Sequence, residues 1–254
     1  MSSIGQLADT LHVLVVRELH VRYKNSVLGL LWAVLSPLGT VVILHLLFTR
    51  IVPLDIPHYA AFIYSGLLPW TWFASTVHTG AGSLFDHRDL VRKPFFPRPV
   101  LPGVVTISHF LLYLLALPVF FVLLLAESVR PTPLLLLLPL VWTVEAIFAL
   151  ACAVLVSALG VLIRDVQHVL GVVMMLWFYV TPVFYDLERV ARPEARWLQL
   201  NPMTVVVQAH RAVTVHGRLP DFWALGACAI ASGVLLAVSF WIFQAFEHLL
   251  IEEV

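Results

Sequence analysis

Apolar residues in this chain fall in long blocks separated by short stretches where polar residues collect. A bilayer-spanning helix needs about 20 mostly apolar residues. Six blocks reach or approach that length: 28–49, 59–77, 100–126, 133–163, 169–185 and 222–246. The fourth is longer than needed, so tilt or an overhang is expected. The fifth is short. The pattern predicts an all-α membrane protein, a single domain over 1–254 with six transmembrane helices and both termini on one side.

The stretches between the blocks are patterned too. On a helical wheel Leu7, Leu11, Leu14, Val15, Leu19 and Val21 share one sector, and Asp9, Arg17, His20 and Lys24 the other. Glu18 and Arg22 intrude on the apolar sector, and Val13 and Val16 on the polar one. Residues 6–24 are therefore expected to form an amphipathic helix in the headgroup plane. In 83–93, Ser83 and Asp86 have capping-box spacing, and Pro94 stops the helix. Its Phe85, followed by Phe95 and Phe96, asks for a partner surface or for headgroups. Segment 186–217 reads as two short amphipathic helices. Pro193 can start the first, and Asn201 followed by Pro202 starts the second, which Gly217 ends.

Composition sharpens the class. Hydrophobic residues are 61% and charged residues 12%, against about 45–50% and about 25% in soluble domains. The mean hydropathy is +0.95. A disordered chain, a fibre and an ordinary soluble enzyme are excluded. Lys+Arg and Asp+Glu are 15 each, so net charge gives no argument for nucleic acid as a partner. Cys152 and Cys228 lie in apolar runs, a spacing that fits neither a disulfide framework nor a zinc site. With the termini in the cytoplasm, the cytoplasmic stretches carry eight Lys and Arg and the other side seven. The positive-inside rule therefore barely decides orientation.

Several chemistries lack their residues. The two lysines precede Asn25 and Pro94, so there is no G-x-x-x-x-G-K-[ST] phosphate loop. There is no G-x-S-x-G and no H-E-x-x-H, and no catalytic residue or metal ligand is assigned. Glu145 stands out, because an acidic residue within a span is costly and a functional candidate. Counted along helices, Glu145 lies about 27 Å from Ile163 and His45 about 26 Å from Leu28. The two can meet at one depth, as a pair or on a water-filled path; alternatively Glu145 reaches the outer interface. Aromatic residues are 12% of the chain and crowd the second and fifth blocks, Trp177, Phe178, Tyr179 and Tyr185 among them. Interface belts explain many such residues, while aromatic faces also suit the C–H faces of sugars.

Four motifs in order resemble the membrane subunit of an ABC-2-type exporter, in its polysaccharide-export branch of O-antigen, capsule and teichoic-acid permeases. ELHVRYKNSVLGLLWAVLSPL looks like that family's R-Y-x-x-S-x-L-G-x-x-W-x-x-x-x-P entry to the first span, on Arg22, Tyr23, Ser26, Leu28, Gly29, Trp32 and Pro37. LVRKPFFPRPVLP is similar to its loop before the third span. IRDVQHVLGVVMMLWFYVTPVFY resembles its Arg-Asp turn and fifth span, on Arg164, Asp165, Thr181 and Pro182. LNPMTVVVQAHR resembles its Asn-Pro segment, on Asn201, Pro202 and Arg211.

The resemblance implies a half-transporter of the bacterial inner membrane that homodimerises around a path, with both termini cytoplasmic. Two copies of a cytoplasmic P-loop ATPase would bind the ATP and Mg, and this chain would bind no cofactor. It makes 83–93 the coupling helix, with Ser83, Phe85, Asp86, Arg88, Asp89 and Arg92, joined by Arg164 and Asp165. It makes 6–24 the interface helix, with Arg22, Tyr23 and Lys24 where a polyprenyl-diphosphate-linked glycan enters. It makes 186–217 the external gate, with Thr181, Pro182, Asn201, Pro202 and Arg211. Trp32, His45, Glu145, Trp177, Phe178, Tyr179 and Tyr185 are the candidates for the path. The expected function is export of a polyprenyl-linked polysaccharide. The alternatives are an ABC-2 exporter of drugs or small lipids, and a membrane-embedded enzyme acting on lipid-linked sugars.

Overall fold

The computed structural model describes residues 3–24, 26, 28–93, 96–163, 165–189 and 193–246. Arg164, Phe95 and the side chain of Tyr23, singled out above, lie outside the described residues. Among the described residues the chain is helical, with no strand. In order come α1 (Ser3–Tyr23), α2 (Trp32–Leu46), α3 (Tyr59–Asp86), α4 (Arg88–Val91), α5 (Val100–Ala126), α6 (Leu138–Leu162), α7 (Val166–Val180), α8 (Pro202–Arg211) and α9 (Phe222–Ala245). Tight turns lead into α2 at Gly29–Leu31, into α6 at Pro133–Leu137 and into α8 at Pro193–Leu200. π-helical turns extend α2 over Leu47–Ile51 and α8 over Ala212–His216.

Four described segments are long and apolar enough to cross a membrane: Gly29–Ile51, Val100–Ala126, Pro133–Leu162 and Phe222–Ala245. The other two expected spans differ, each for a physical reason. α3 has length to spare at 28 residues, but Tyr, Trp, Ser, Thr and Gly dilute its hydropathy. It is the hub of the bundle, packing on α2, α5, α6, α7 and α8. Surrounded by helices rather than lipid, it has no need of an all-aliphatic surface. α7 is only 15 residues, about 22 Å at 1.5 Å per residue. Pro182 stops it, because the residue before a proline is pushed out of the helical region, and Thr181 sits at φ −90°, ψ 130°.

Small residues let the hub close up. A Cβ on Gly160 of α6 would collide with the backbone carbonyl of Ala81 in α3, and one on Gly80 would sit 3.0 Å from the Ala153 side chain. This is the small-residue packing by which membrane helices approach closely. The N-terminus of α3 is capped from a distance. His58 at its start caps nothing, and Glu127, just past α5, accepts from the amides of Ala60 at 3.2 Å and Ala61 at 2.9 Å.

A second apolar cluster lies at the other end of the bundle. It joins Leu14 and Val15 of α1 to Leu84, Val91, Leu101, Val104, Val154, Ala158, Val161 and Phe243. Phe85 and Phe96 pack against it, so the surface these aromatics call for is supplied by the chain itself. The expected helix over 83–93 is not a separate element. α3 continues unbroken to Asp86, Ser83 is buried and donates to the Gly80 carbonyl at 2.8 Å rather than capping a helix start, and α4 adds a single turn. No proline separates the second block from Ser83, and His78, Thr79 and the two glycines that follow stay helical.

Candidate functional site

Three groups of candidate residues can be placed. The first lies where α7 gives way to α8. Asn201 Oδ1 accepts from the Met203 amide at 3.0 Å, capping α8, and Pro202 occupies the first turn. The same oxygen accepts from Trp177 Nε1 at 2.9 Å, while Asn201 Nδ2 donates to Thr181 Oγ1 at 3.0 Å. One asparagine thus starts α8 and ties it to the end of α7. Gly217 closes the π-helical extension at φ +57°, where a side chain would be strained.

Arg211, at the end of α8, is buried. Its guanidinium lies 3.5 Å from the centre of the Phe62 ring. Nη2 donates to the carbonyls of Val183 (3.0 Å), Pro182 (3.1 Å) and Phe62 (3.3 Å), and Nε reaches Ser65 Oγ at 3.4 Å. One side chain therefore clamps α8, the turn after α7 and the hub α3. Gly66 makes room for it, since a Cβ there would sit 2.8 Å from Nη2 and 3.1 Å from the Val183 carbonyl. Tyr59 reinforces the joint by donating to the Phe184 carbonyl at 2.7 Å. Thr181, Pro182, Asn201, Pro202 and Arg211, expected as one group, are brought together.

The second group surrounds α1. Glu18 and Arg22, which spoil the amphipathic pattern, both turn toward the protein. Arg22 Nη2 donates to Glu18 at 3.2 Å and to Thr79 Oγ1 at 3.3 Å, and Nη1 donates to His109 Nε2 at 2.7 Å. His109 Nδ1 faces the Val105 carbonyl at 2.9 Å, so it carries the proton and Nε2 accepts. The other Glu18 oxygen lies 3.8 Å from His87. Arg22 and His109 also line a cavity of about 180 Å³ between α1, α2, α3 and α5, with Trp32, Ser36, Trp72 and Tyr113. Lys24 follows α1, exposed. Asp86, Arg88, Asp89 and Arg92 are exposed at the end of α3 and on α4, as is Asp165 at the start of α7.

The third group, the path candidates, does not share one surface in the single chain. Trp32 and Tyr179 are exposed, while Glu145 is fully buried. Trp177 packs on Phe73 and Phe148, Phe178 on Trp70, and His45 on Tyr59. Tyr185 folds back, its hydroxyl donating to the Val180 carbonyl at 3.2 Å. The Glu145–His45 pair is not formed: neither Glu145 oxygen nor His45 Nδ1 has a hydrogen-bond partner among the described residues. Glu145 does not reach an interface either. Burying an unpaired carboxyl is costly, and Glu145 keeps its place as a functional candidate. In the same core Trp142 Nε1 donates to the Tyr113 hydroxyl at 2.8 Å, and that hydroxyl shares a hydrogen bond of 2.7 Å with His210 Nε2. Tyr113, His210, Gly66 and Glu127 escape a reading by motif, because their partners are far away in sequence.

Comparison with known proteins identifies the family. The ABC-2 type transporter family matches residues 10–215. The chain is 39% identical over 234 residues to the O-antigen export system permease protein RfbA of Myxococcus xanthus, covering 91% of this chain and 90% of that one. It is 28% identical over 247 residues to the Klebsiella pneumoniae protein of the same name, covering 97% and 95%. It is 24% identical over 247 residues to the polysialic acid transport protein KpsM of Escherichia coli, covering 94% of each. On the family match and the near full-length similarity, the chain belongs to the ABC-2 type transporter family.

Proposed function

We propose that the chain is the membrane subunit of an ATP-driven exporter of a cell-surface polysaccharide, carried on a polyprenyl diphosphate. The near full-length likeness to an O-antigen export permease carries this reading. The chain has no phosphate loop of its own, so a separate ATPase supplies the energy. The permease works as a homodimer in the bacterial inner membrane, with six spans and both termini cytoplasmic. Support for the dimer comes from α2 and α7, which bury little. α7 buries Leu170 and Met174 but exposes Val169, Val172, Val173, Met175, Leu176 and Tyr179. α2 exposes Trp32, Leu35, Val42, Ile43 and Leu46. Two such helices, facing their copies, line a path that opens when they part.

The exposed charges on Asp86, Arg88, Asp89 and Arg92, with Arg164 and Asp165, meet the ATPase. α1 lies against the inner leaflet, where Arg22, Tyr23 and Lys24 meet the diphosphate as charge-assisted donors. α8 and the turn holding Thr181 and Pro182 form the external gate. Pull-down of the tagged chain from its host in mild detergent, with native mass spectrometry, tests the assembly. A two-plus-two complex with a P-loop ATPase is expected. A chain that is active and free of any ATPase overturns the reading and favours the membrane enzyme.

A further inference from the structure

Between the turn after α7, α8 with its π-helical extension, and the start of α9 lies a cavity of about 340 Å³ that shares only Arg211 with the gate residues. Its walls carry the carboxylates of Asp186, Glu188 and Asp221, the amides of Gln199 and Gln208, and the guanidinium of Arg218. Part of this set is already engaged. Asp221 Oδ1 accepts from the amides of Trp223 and Ala224 at 2.9 and 3.0 Å, capping α9, Asp186 Oδ1 accepts from the Glu188 amide at 3.0 Å, Asp186 Oδ2 lies 3.5 Å from Arg189 Nε, and Arg218 Nη2 donates to Glu188 Oε2 at 3.5 Å. The two glutamine amides make no hydrogen bond with any described residue. His216 also lines the cavity. Burial, then the Arg218 and Arg211 guanidiniums, push its imidazole below the ordinary value. At neutral pH it is therefore uncharged, with one donor and one acceptor.

We propose that this cavity binds a neutral sugar unit of the exported polymer, on the face where the polymer leaves. The inference rests on the export reading and adds a second place where the polymer meets the permease. Each sugar hydroxyl both donates and accepts. Carboxylates and amide oxygens accept from it, and amide and guanidinium N–H groups donate to it. Val205, Leu219 and Ala224 give the same cavity an apolar side for C–H faces. Other occupants fit worse. The three carboxylates are offset by Arg211 and Arg218, so the cavity has little net charge with which to hold an acidic sugar, a phosphate or a divalent cation. No group of three His, Cys, Asp or Glu placed to hold a metal occurs among the described residues. The polar walls are wrong for a lipid tail. A weak site here would hold the emerging chain between strokes of the ATPase.

The probe is the water-soluble polysaccharide that mild acid releases from the host's surface glycolipid, added to the permease homodimer in lipid nanodiscs and followed by saturation-transfer NMR. Transfer to the sugar protons is expected with the parent chain. In Gln199→Ala/Gln208→Ala, which removes groups that no described residue engages, the apparent Kd should rise about tenfold, the loss of one good hydrogen bond. Gln208→Trp, which fills the cavity, should abolish transfer, and this second variant keeps the test alive if the first folds poorly. Methyl glucuronide and Ca²⁺ should not compete. A parent chain that exports the polysaccharide yet shows no transfer overturns this inference and leaves the export reading standing, as does transfer unchanged in both variants. A deletion strain with its surface polysaccharide intact overturns both.

Discussion

Arg211 shows how far a single residue can reach beyond its sequence neighbours. Its guanidinium joins carbonyls that lie 28, 29 and 149 positions away. A hydrogen bond to a charged group contributes about 1.5–3 kcal/mol. Arg211→Ala should therefore lower the thermal midpoint of the purified protein markedly, because several buried carbonyls lose their donor at once. Arg211→Lys should rescue little, since a point-like ammonium matches neither the ring face nor the spread of acceptors. Gly66→Ala, which leaves Arg211 in place but intrudes on it, should give a similar fall; a midpoint equal to the parent's would show that the clamp is not needed. The asparagine, proline and glycine that frame α8 are legible in the sequence, because caps are local. The burial of Arg211 is not, because its acceptors are backbone atoms, which leave no trace in side-chain identity.

At the level of elements, α3 and α6 approach closely enough at Gly80 and Gly160 that a side chain would not fit. Gly160→Ala should force the two helices apart and cut folding yield, whereas Gly226→Ala on α9, which meets nothing within 4 Å, should be neutral; equal yields would contradict the packing. Glu127→Ala removes the cap of α3 and should cost about 0.5–2 kcal/mol, in the range of ordinary helix caps. Long helices are read well from hydrophobic blocks, and α5, α6 and α9 lie where those blocks predict. The misplaced boundaries have two causes. Segment 83–93 looks like a helix start at Ser83, yet a capping spacing has no force where the preceding chain is already helical. The fifth block stays apolar past Val180, so composition runs on where Pro182 ends the helix. Glu18 and Arg22 look like flaws in an amphipathic pattern because the pattern takes no account of a polar partner such as His109 inside the fold.

For the whole molecule, α2, α7 and α9 are all sparsely buried in the single chain, and the proposed dimer puts α2 and α7 at its interface. If these helices face their copies, Leu176→Cys on α7 should be trapped as a dimer by a bis-maleimide in membranes. Ile230→Cys on α9, equally open in the single chain, should stay monomeric on gels. The reverse pattern would put α9 at the interface instead. The charge balance across the spans leaves orientation open, and the family motifs decide the expected one. Export of a polysaccharide is tested by deleting the gene in its host and measuring the polymer on both sides of the membrane. The surface polymer should disappear, lipid-linked polymer should accumulate at the cytoplasmic face, and the intact chain should restore export. Surface polymer at the parental level, with nothing accumulating inside, would contradict it.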